Sequence, residues 1–292
     1  MQNEVIIGSR DSRLALIQSE LVKTFIETHH PEYSVRILPM KTSGDRILDQ
    51  SLQEIGGKGL FVKELDLALA QGRTDLSVHS LKDVPMDVPE QLPLIGFSGR
   101  EDPRDALILP QGRTDIDWSR PIGCSSARRM LQFQQLYPDA QFETIRGNVE
   151  TRLRKLDAGQ YGATILAAAG LKRLGLESRI SRYFSTEEMI PAAGQGILVI
   201  QGRADQCYPF LNGYTDPESL LCARAERAFI RRLGGSCTMP AAAFAKIKNG
   251  YLTLQALYQD VSSGCLHQGT LTRDMYAAEQ AGTDLAERFL RS

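Results

Sequence analysis

Two serines, two arginines and a cysteine stand together in Cys124-Ser125-Ser126-Ala127-Arg128-Arg129, where an apolar run gives way to a helical pattern. The first N–H groups of a helix have no partner within it and its dipole is positive there, so such a turn already favours an anion. Two hydroxyls and two guanidiniums strengthen that preference, and a guanidinium binds a carboxylate through two parallel hydrogen bonds. Arg146-Gly147-Asn148 marks the next strand-to-helix turn, with Arg152 one helical turn along and Arg173 after the strand that follows. In an α/β sheet the turns after strands gather at one edge, where ligands bind. Singly, each arginine reads as a solvated charge. Several at corresponding strand ends point to an anionic, carboxylate-bearing ligand.

Lys82-Asp83 ends another strand pattern, between Ser80 and Pro85. It reads equally as an exposed loop ion pair, worth ~0–1 kcal/mol, and as a carboxylate aimed into a cleft to stabilise a cation or a ligand N–H. Cys237 lies in Gly234-Gly235-Ser236-Cys237-Thr238-Met239-Pro240, a shaped loop past a helix end, where a thiol is reachable. An ordinary loop cysteine has the same signature. Gly56-Gly57-Lys58-Gly59 invites a phosphate-loop reading and fails it, because Leu52 and Gly59 stand where a glycine and a hydroxyl residue are needed. Gly194-Gln195-Gly196 reads as a tight turn between lobes. The five cysteines (124, 207, 222, 237, 265) are odd in number, widely spaced and form no Cys-x-x-Cys, so neither a disulfide framework nor a zinc site is expected.

The elements that must position these groups alternate. Val5-Ile6-Ile7 is a strand, Ser12 a helix cap with Leu14, Ile17, Leu21, Val22 and Phe25 as the apolar face, and Val35 and Ile37 a second strand. A helix over 60–71 closes at Gly72, and Leu76-Ser77-Val78 runs into the Lys82-Asp83 segment. Prolines 85, 89 and 93 and Glu101-Asp102-Pro103 mark a crossing to a second unit of the same grammar. That unit has strands at 106–109, 121–123, 142–145 and 163–167 and helices over 126–137 and 149–158. Ile197–Ile200 is an apolar strand suited to return to the first unit. Asp216-Pro217 starts a helix that Gly234 ends, Asn249-Gly250 is a type I′ hairpin signal, a second hairpin turns near Ser263-Gly264, and a helix closes the chain from Met275. The expected fold class is α/β: two lobes and a small C-terminal α+β domain. Their ranges are 1–98 with 197–213, 102–193, and 217–292.

Of 292 residues 42% are hydrophobic and 24% charged, and 34 Lys+Arg against 35 Asp+Glu leave a formal charge of −1. That is an ordinary globular composition, and no nucleic-acid partner is expected without a strongly basic domain. No apolar stretch reaches the ~18–20 residues a spanning helix needs, and the Met1-Gln2-Asn3-Glu4 start has no secretory character. No membrane partner and a cytoplasmic location are expected.

His79-Ser80-Leu81-Lys82-Asp83-Val84-Pro85, Arg146-Gly147-Asn148 with Arg152-Leu153, and the Gly-Gly-x-Cys loop at Cys237 together resemble the porphobilinogen deaminase (hydroxymethylbilane synthase) family. So do Gly8-Ser9-Arg10-Asp11-Ser12-Arg13-Leu14-Ala15 with Gln18, Gly57-Lys58-Gly59-Leu60-Phe61 and Ala193-Gly194-Gln195-Gly196, in the right order over nearly the whole chain. The resemblance implies a monomeric transferase that joins four porphobilinogen molecules head to tail, releasing ammonia at each step. It also implies two periplasmic-binding-protein-like lobes with mixed sheets. A dipyrromethane cofactor would be attached as a thioether to Cys237 and held by Ser80, Lys82, Asp83, Ser125, Ser126, Arg128, Arg129 and Arg146. Asp83 would be the catalytic carboxylate, and Arg10, Ser12, Lys58, Arg152, Arg173 and Gln195 would bind substrate; no metal is implied. Cys124, Ala127, Val199, Gln201, Ser236 and Ala241-Ala242 depart from the family pattern without removing a charged ligand or the anchor. On the residues alone, a two-lobed receptor for a small anion is the other reading; it has no use for Cys237.

Overall fold

The computed structural model describes residues 3–41, 63–235 and 239–291. In chain order the first elements are β1 (Asn3–Arg10), α1 (Arg13–His29), β2 (Tyr33–Met40), α2 (Lys63–Ala70), β3 (Leu76–Ser80) and β4 (Leu94–Phe97). Next come β5 (Asp105–Ile108), β6 (Ile122–Gly123), α3 (Ala127–Leu136), β7 (Phe142–Glu143), α4 (Val149–Asp157), β8 (Ala163–Ala167), α5 (Ala168–Arg173) and β9 (Arg182–Tyr183). The chain continues with β10 (Leu198–Gln201), α6 (Pro217–Arg232), β11 (Ala241–Lys248), β12 (Tyr251–Gln259), β13 (Leu266–Asp274) and α7 (Ala278–Arg291). Two compact units result, residues 1–100 with 197–220 and residues 101–196 with 221–292.

The first unit is a five-stranded mixed sheet in the order β2-β1-β3-β10-β4. β1 lies parallel to β2 and β3, whereas β10 runs antiparallel to both β3 and β4. Val5, Ile7, Val22, Ile26, Val35, Leu76, Val78 and Ile200 form its core. The second unit repeats the pattern as β7-β6-β8-β5-β9. Here β6 is parallel to β7 and β8, while β5 is antiparallel to β8 and β9. In each sheet the antiparallel insert is the strand that follows a crossing from the other part of the chain. The expected mixed-sheet α/β lobes are present, and so is the small antiparallel sheet β11-β12-β13 with α7 packed on it.

Local chemistry explains the helix starts. Ser12 Oγ accepts from Ala15 N–H, Ser126 Oγ from Arg129 N–H, Asn148 Oδ1 from Thr151 N–H and Asp216 Oδ1 from Ser219 N–H. The hairpin at Asn249-Gly250 has positive φ at both residues, 53° and 80°, as a type I′ turn requires. α7 sits so close to α6 that a Cβ at Gly282 would lie 2.2 Å from Ala225 O.

Two expectations are corrected, and two strands were not expected. The buried face of α1 is Ala15, Gln18, Ser19, Val22 and Ile26, so the apolar stripe drawn through Leu21 is rotated, with Leu21 49% exposed. Arg173 closes α5 and does not stand at a strand end. β4 and the two-residue β9 carry no recognisable strand pattern, and their pairing with β10 and β5 defines them.

Candidate functional site

Arg10, Ser12, Ala15, Gln18, Val78, His79, Ser80 and Asp83 line one small pocket of the first unit. β1 ends at Arg10, α1 begins beyond the Ser12 cap, and β3 ends at Ser80, so three element ends converge there. Gln18 Nε2 donates to Ser80 Oγ at 2.9 Å, tying α1 to the end of β3. Asp83 follows in a single 3-10 turn, Leu81–Asp83, anchored by fully buried Leu81, whose N–H donates to Ile197 O at 3.0 Å. The Asp83 side chain is exposed. Lys82, half-buried, belongs to the same turn but does not line this pocket.

His79 is the pocket residue that sequence reasoning passed over. It is 7% exposed and its Nε2 lies 3.2 Å from Gln201 Oε1. The Gln201 amide donates to Leu92 O at 2.8 Å, so its oxygen faces the imidazole and assigns the proton to Nε2. Burial pushes the imidazole down to about 4, with Arg10 adding to that and the Gln201 bond and Asp83 opposing it. In the unfolded chain the ordinary value is 6.5. Between the two the unfolded state holds more proton, so stability rises with pH across this window and is level above it. The slope is roughly 1.4 kcal/mol per pH unit for one such group. Going from about pH 7 to about pH 5, His79→Gln protein should therefore lose about 2 kcal/mol less stability than the parent in urea unfolding. Equal losses would place the proton uptake elsewhere.

In the second unit the segment expected to hold an anion is a capped helix start whose two arginines are buried against a carboxylate. Ser126 caps α3, and Arg128 and Arg129 occupy its first turn at 5% and 8% exposure. Both reach the fully buried carboxylate of Asp105 at the start of β5. Arg128 Nη1 donates to Oδ2 at 2.7 Å, and Arg129 Nε donates to Oδ1 at 2.9 Å. Arg128 also donates to Ile190 O and Arg129 to Ile165 O. Gln195, fully buried, donates to Pro103 O at 2.7 Å and Asp105 Oδ1 at 3.1 Å. Ser125 is exposed at the mouth of the turn, its hydroxyl donating to Ile145 O. Cys124 beneath it is buried, and burial raises its thiol, so this sulfur is held as the poorly nucleophilic thiol.

Arg146 and Arg152 flank the next turn. Gly147 there has φ of 110°, and a Cβ would lie 2.6 Å from Thr151 Cγ2, so only glycine fits. Its carbonyl accepts from Arg152 Nε at 2.8 Å. Arg173 donates to Gly196 O at 2.7 Å. Another buried carboxylate that sequence reasoning missed, Glu226 of α6, accepts from Gly194 N–H at 2.6 Å and Ala245 N–H at 2.7 Å. The calls on Cys237 and Lys58 lie outside the described residues.

The comparisons with known proteins agree along the chain. Residues 5–208 match the family model described as "Porphobilinogen deaminase, dipyromethane cofactor binding domain", and residues 220–291 match "Porphobilinogen deaminase, C-terminal domain". A porphobilinogen deaminase of Alkaliphilus oremlandii is 50% identical over 283 residues, covering 97% of this chain and 95% of that one. One of Acetivibrio thermocellus is 48% identical over 288 residues, covering 99% and 98%. Among solved structures, the methionine binding protein MetQ aligns over 75% of this chain and 93% of its own, at 12% identity and a TM-score of 0.46. With both domain models matched in order and near-half identity over almost the full length, the chain belongs to the porphobilinogen deaminase family.

Proposed function

We propose that the chain carries out the reaction its family is named for: head-to-tail condensation of four porphobilinogen molecules into a linear hydroxymethylbilane. At each step a carbon–nitrogen bond breaks to release ammonia, a carbon–carbon bond forms, and the attacked pyrrole carbon gives up its proton. One water supplies the hydroxyl on release, so that four porphobilinogen molecules and one water give the hydroxymethylbilane and four ammonia. The observation that carries this reading is the buried Arg128–Arg129 pair behind the Ser126 cap, inside the stretch that matches the cofactor-binding domain.

The donor set fits a dipyrromethane. Its acetate and propionate groups need guanidiniums and hydroxyls, which Arg128, Arg129, Arg146, Ser125 and Ser126 supply, with Ser80 and Lys82 from the first unit. When bound, it supplies the free pyrrole carbon from which the product grows. Cys237 is the anchor, since a thiolate is a strong carbon nucleophile at modest pH. Asp83, exposed on a rigidly seated turn, stabilises the cationic pyrrole left by departing ammonia through its N–H. Arg10, Ser12, Lys58, Arg152 and Arg173 complete the substrate side, to which the sequence resemblance also assigns Gln195. Gln195 is so deeply buried that it acts by holding Asp105, not by touching substrate. The lobes that carry these groups are 1–98 with 197–213 and 102–193, and the anchor belongs to the 217–292 domain.

A chain of net charge −1 accommodates substrate carboxylates only by concentrating guanidiniums where they bind. We read the protein as a cytoplasmic monomer with no nucleic-acid or membrane partner. Among the described residues Cys124, Cys207, Cys222 and Cys265 are free thiols. Among the described residues no helix is long and apolar enough to cross a membrane. Intact mass tests the whole reading. Purified protein should carry an adduct of two condensed pyrrole units, mapped by peptide analysis to Cys237 and positive with Ehrlich's reagent. Adding porphobilinogen should raise the mass in further pyrrole steps. An unmodified mass and no uptake would leave only an anion-binding protein.

A further inference from the structure

Asp105 is a buried carboxylate that the reaction does not use, and it meets three of the expected site residues, Arg128, Arg129 and Gln195. Its two oxygens accept from Arg128 Nη1 at 2.7 Å, Arg129 Nε at 2.9 Å, Arg129 Nη2 at 2.8 Å and Gln195 Nε2 at 3.1 Å. The donors come from the first turn of α3 and from the Gly194-Gln195-Gly196 turn, 23 and 90 residues away in sequence. Asp105 itself is fully buried at the first position of β5, a strand held between β8 and β9.

We propose that Asp105 is a positioning residue that sets the two guanidiniums in their receiving orientation before any ligand carboxylate arrives. The inference rests on the reading of Arg128 and Arg129 as cofactor ligands. Two neighbouring cations in a nearly dry site repel each other, and each belongs to a long side chain with many rotamers. A single carboxylate between them removes the repulsion and fixes both. Arg129 is gripped edge-on by one oxygen while Arg128 takes the other. The rotamer freedom of both side chains is thus lost when the protein folds and not when the cofactor is assembled, which is how preorganisation aids binding. One carboxylate against two guanidiniums still leaves an excess positive charge, so the site keeps its attraction for an anion.

The test is the rate at which cofactor-free protein takes up pyrrole units covalently from porphobilinogen, followed by intact mass and Ehrlich colour, with folding checked by thermal melting. Folded Asp105→Asn protein should load on the order of tenfold or more slowly, because a charge-assisted acceptor becomes a partial donor facing the guanidiniums. Asp105→Glu, which keeps the charge but moves it by one methylene, should load at an intermediate rate. Because Asp105 acts through both arginines, adding Asp105→Asn to Arg129→Gln should slow loading by a smaller factor than it does in the parent, through Arg128 alone, whereas a purely structural role lowers loading and melting alike in both backgrounds. Loading at the parent rate by folded Asp105→Asn overturns the proposal. Should that variant not fold, parent-rate loading by Asp105→Glu does so. The underlying reading fails separately, if Arg129→Gln alone loads like the parent.

Discussion

Preloaded Asp83→Asn protein should release ammonia in a single turnover about 10²–10³-fold more slowly than the parent, with little change in substrate affinity. Asparagine keeps the size and an acceptor oxygen and removes only the negative charge. If that charge serves the cation that develops as ammonia leaves, its loss falls on the transition state and not on the ground state, so kcat falls and KM hardly moves. The expected factor corresponds to ~2.7–4 kcal/mol, the usual effect of deleting one preorganised electrostatic group. The seating of the residue supports preorganisation. Leu81 is fully buried and bonded to Ile197 O, and Val84 N–H closes the turn onto Leu81 O at 3.1 Å. Asp83→Glu retains the charge on a longer arm and should fall between Asn and the parent. A loop ion pair with Lys82 predicts the opposite pattern, some loss of melting temperature and near-normal turnover per folded molecule. Fast ammonia release from folded, preloaded Asp83→Asn would remove Asp83 from the chemistry.

What could be read from the chain was local chemistry. A serine before an apolar period caps a helix whatever it packs on, so Ser12 and Ser126 were legible. Asn249-Gly250 was legible because two consecutive positive φ values exclude most other pairs. What could not be read was set by partners far away in sequence. The buried face of α1 contains Gln18 because Ser80, 62 residues on, supplies its hydrogen bond. β9 is a strand because β5 is beside it, not because Arg182-Tyr183 has any pattern. Arg173 was misplaced because Ala163–Ala167 runs into Ala168-Ala169 with no turn residue to announce a helix. Asp105 was invisible for the same physical reason as Gln18. It sits among Glu101, Asp102 and Arg104 in sequence and looks like one more surface charge. Only the meeting of β5, α3 and the Gln195 turn makes it a buried counter-ion.

The contrast between buried and open arginines leads to the second large effect. Arg128→Leu or Arg129→Leu should cut covalent cofactor assembly roughly 10–100-fold, whereas Arg152→Leu should permit assembly and slow the later additions. A hydrogen bond to a charged group contributes about 1.5–3 kcal/mol, and a carboxylate left buried without its partner loses a comparable amount. Arg128 and Arg129, at 5% and 8% exposure, are screened little by solvent, so that range applies to them directly. Losing either also leaves Asp105 with one cation in place of two, so the excess positive charge that draws an anion to the site is gone. Arg152 is only half-buried and hangs from Gly147 O at the following turn, where water partly replaces a lost contact. Its removal should therefore weaken the hold on an added carboxylate without disturbing the site at α3. The measurements are the fraction of protein carrying the two-pyrrole adduct and the distribution of higher adducts after a short exposure to porphobilinogen. Full adduct and a parent-like distribution in all three variants would mean that these guanidiniums do not share the task of holding carboxylates. A depleted adduct in the first two, and stalled higher adducts in the third, would separate assembly from elongation by the depth at which each arginine is set.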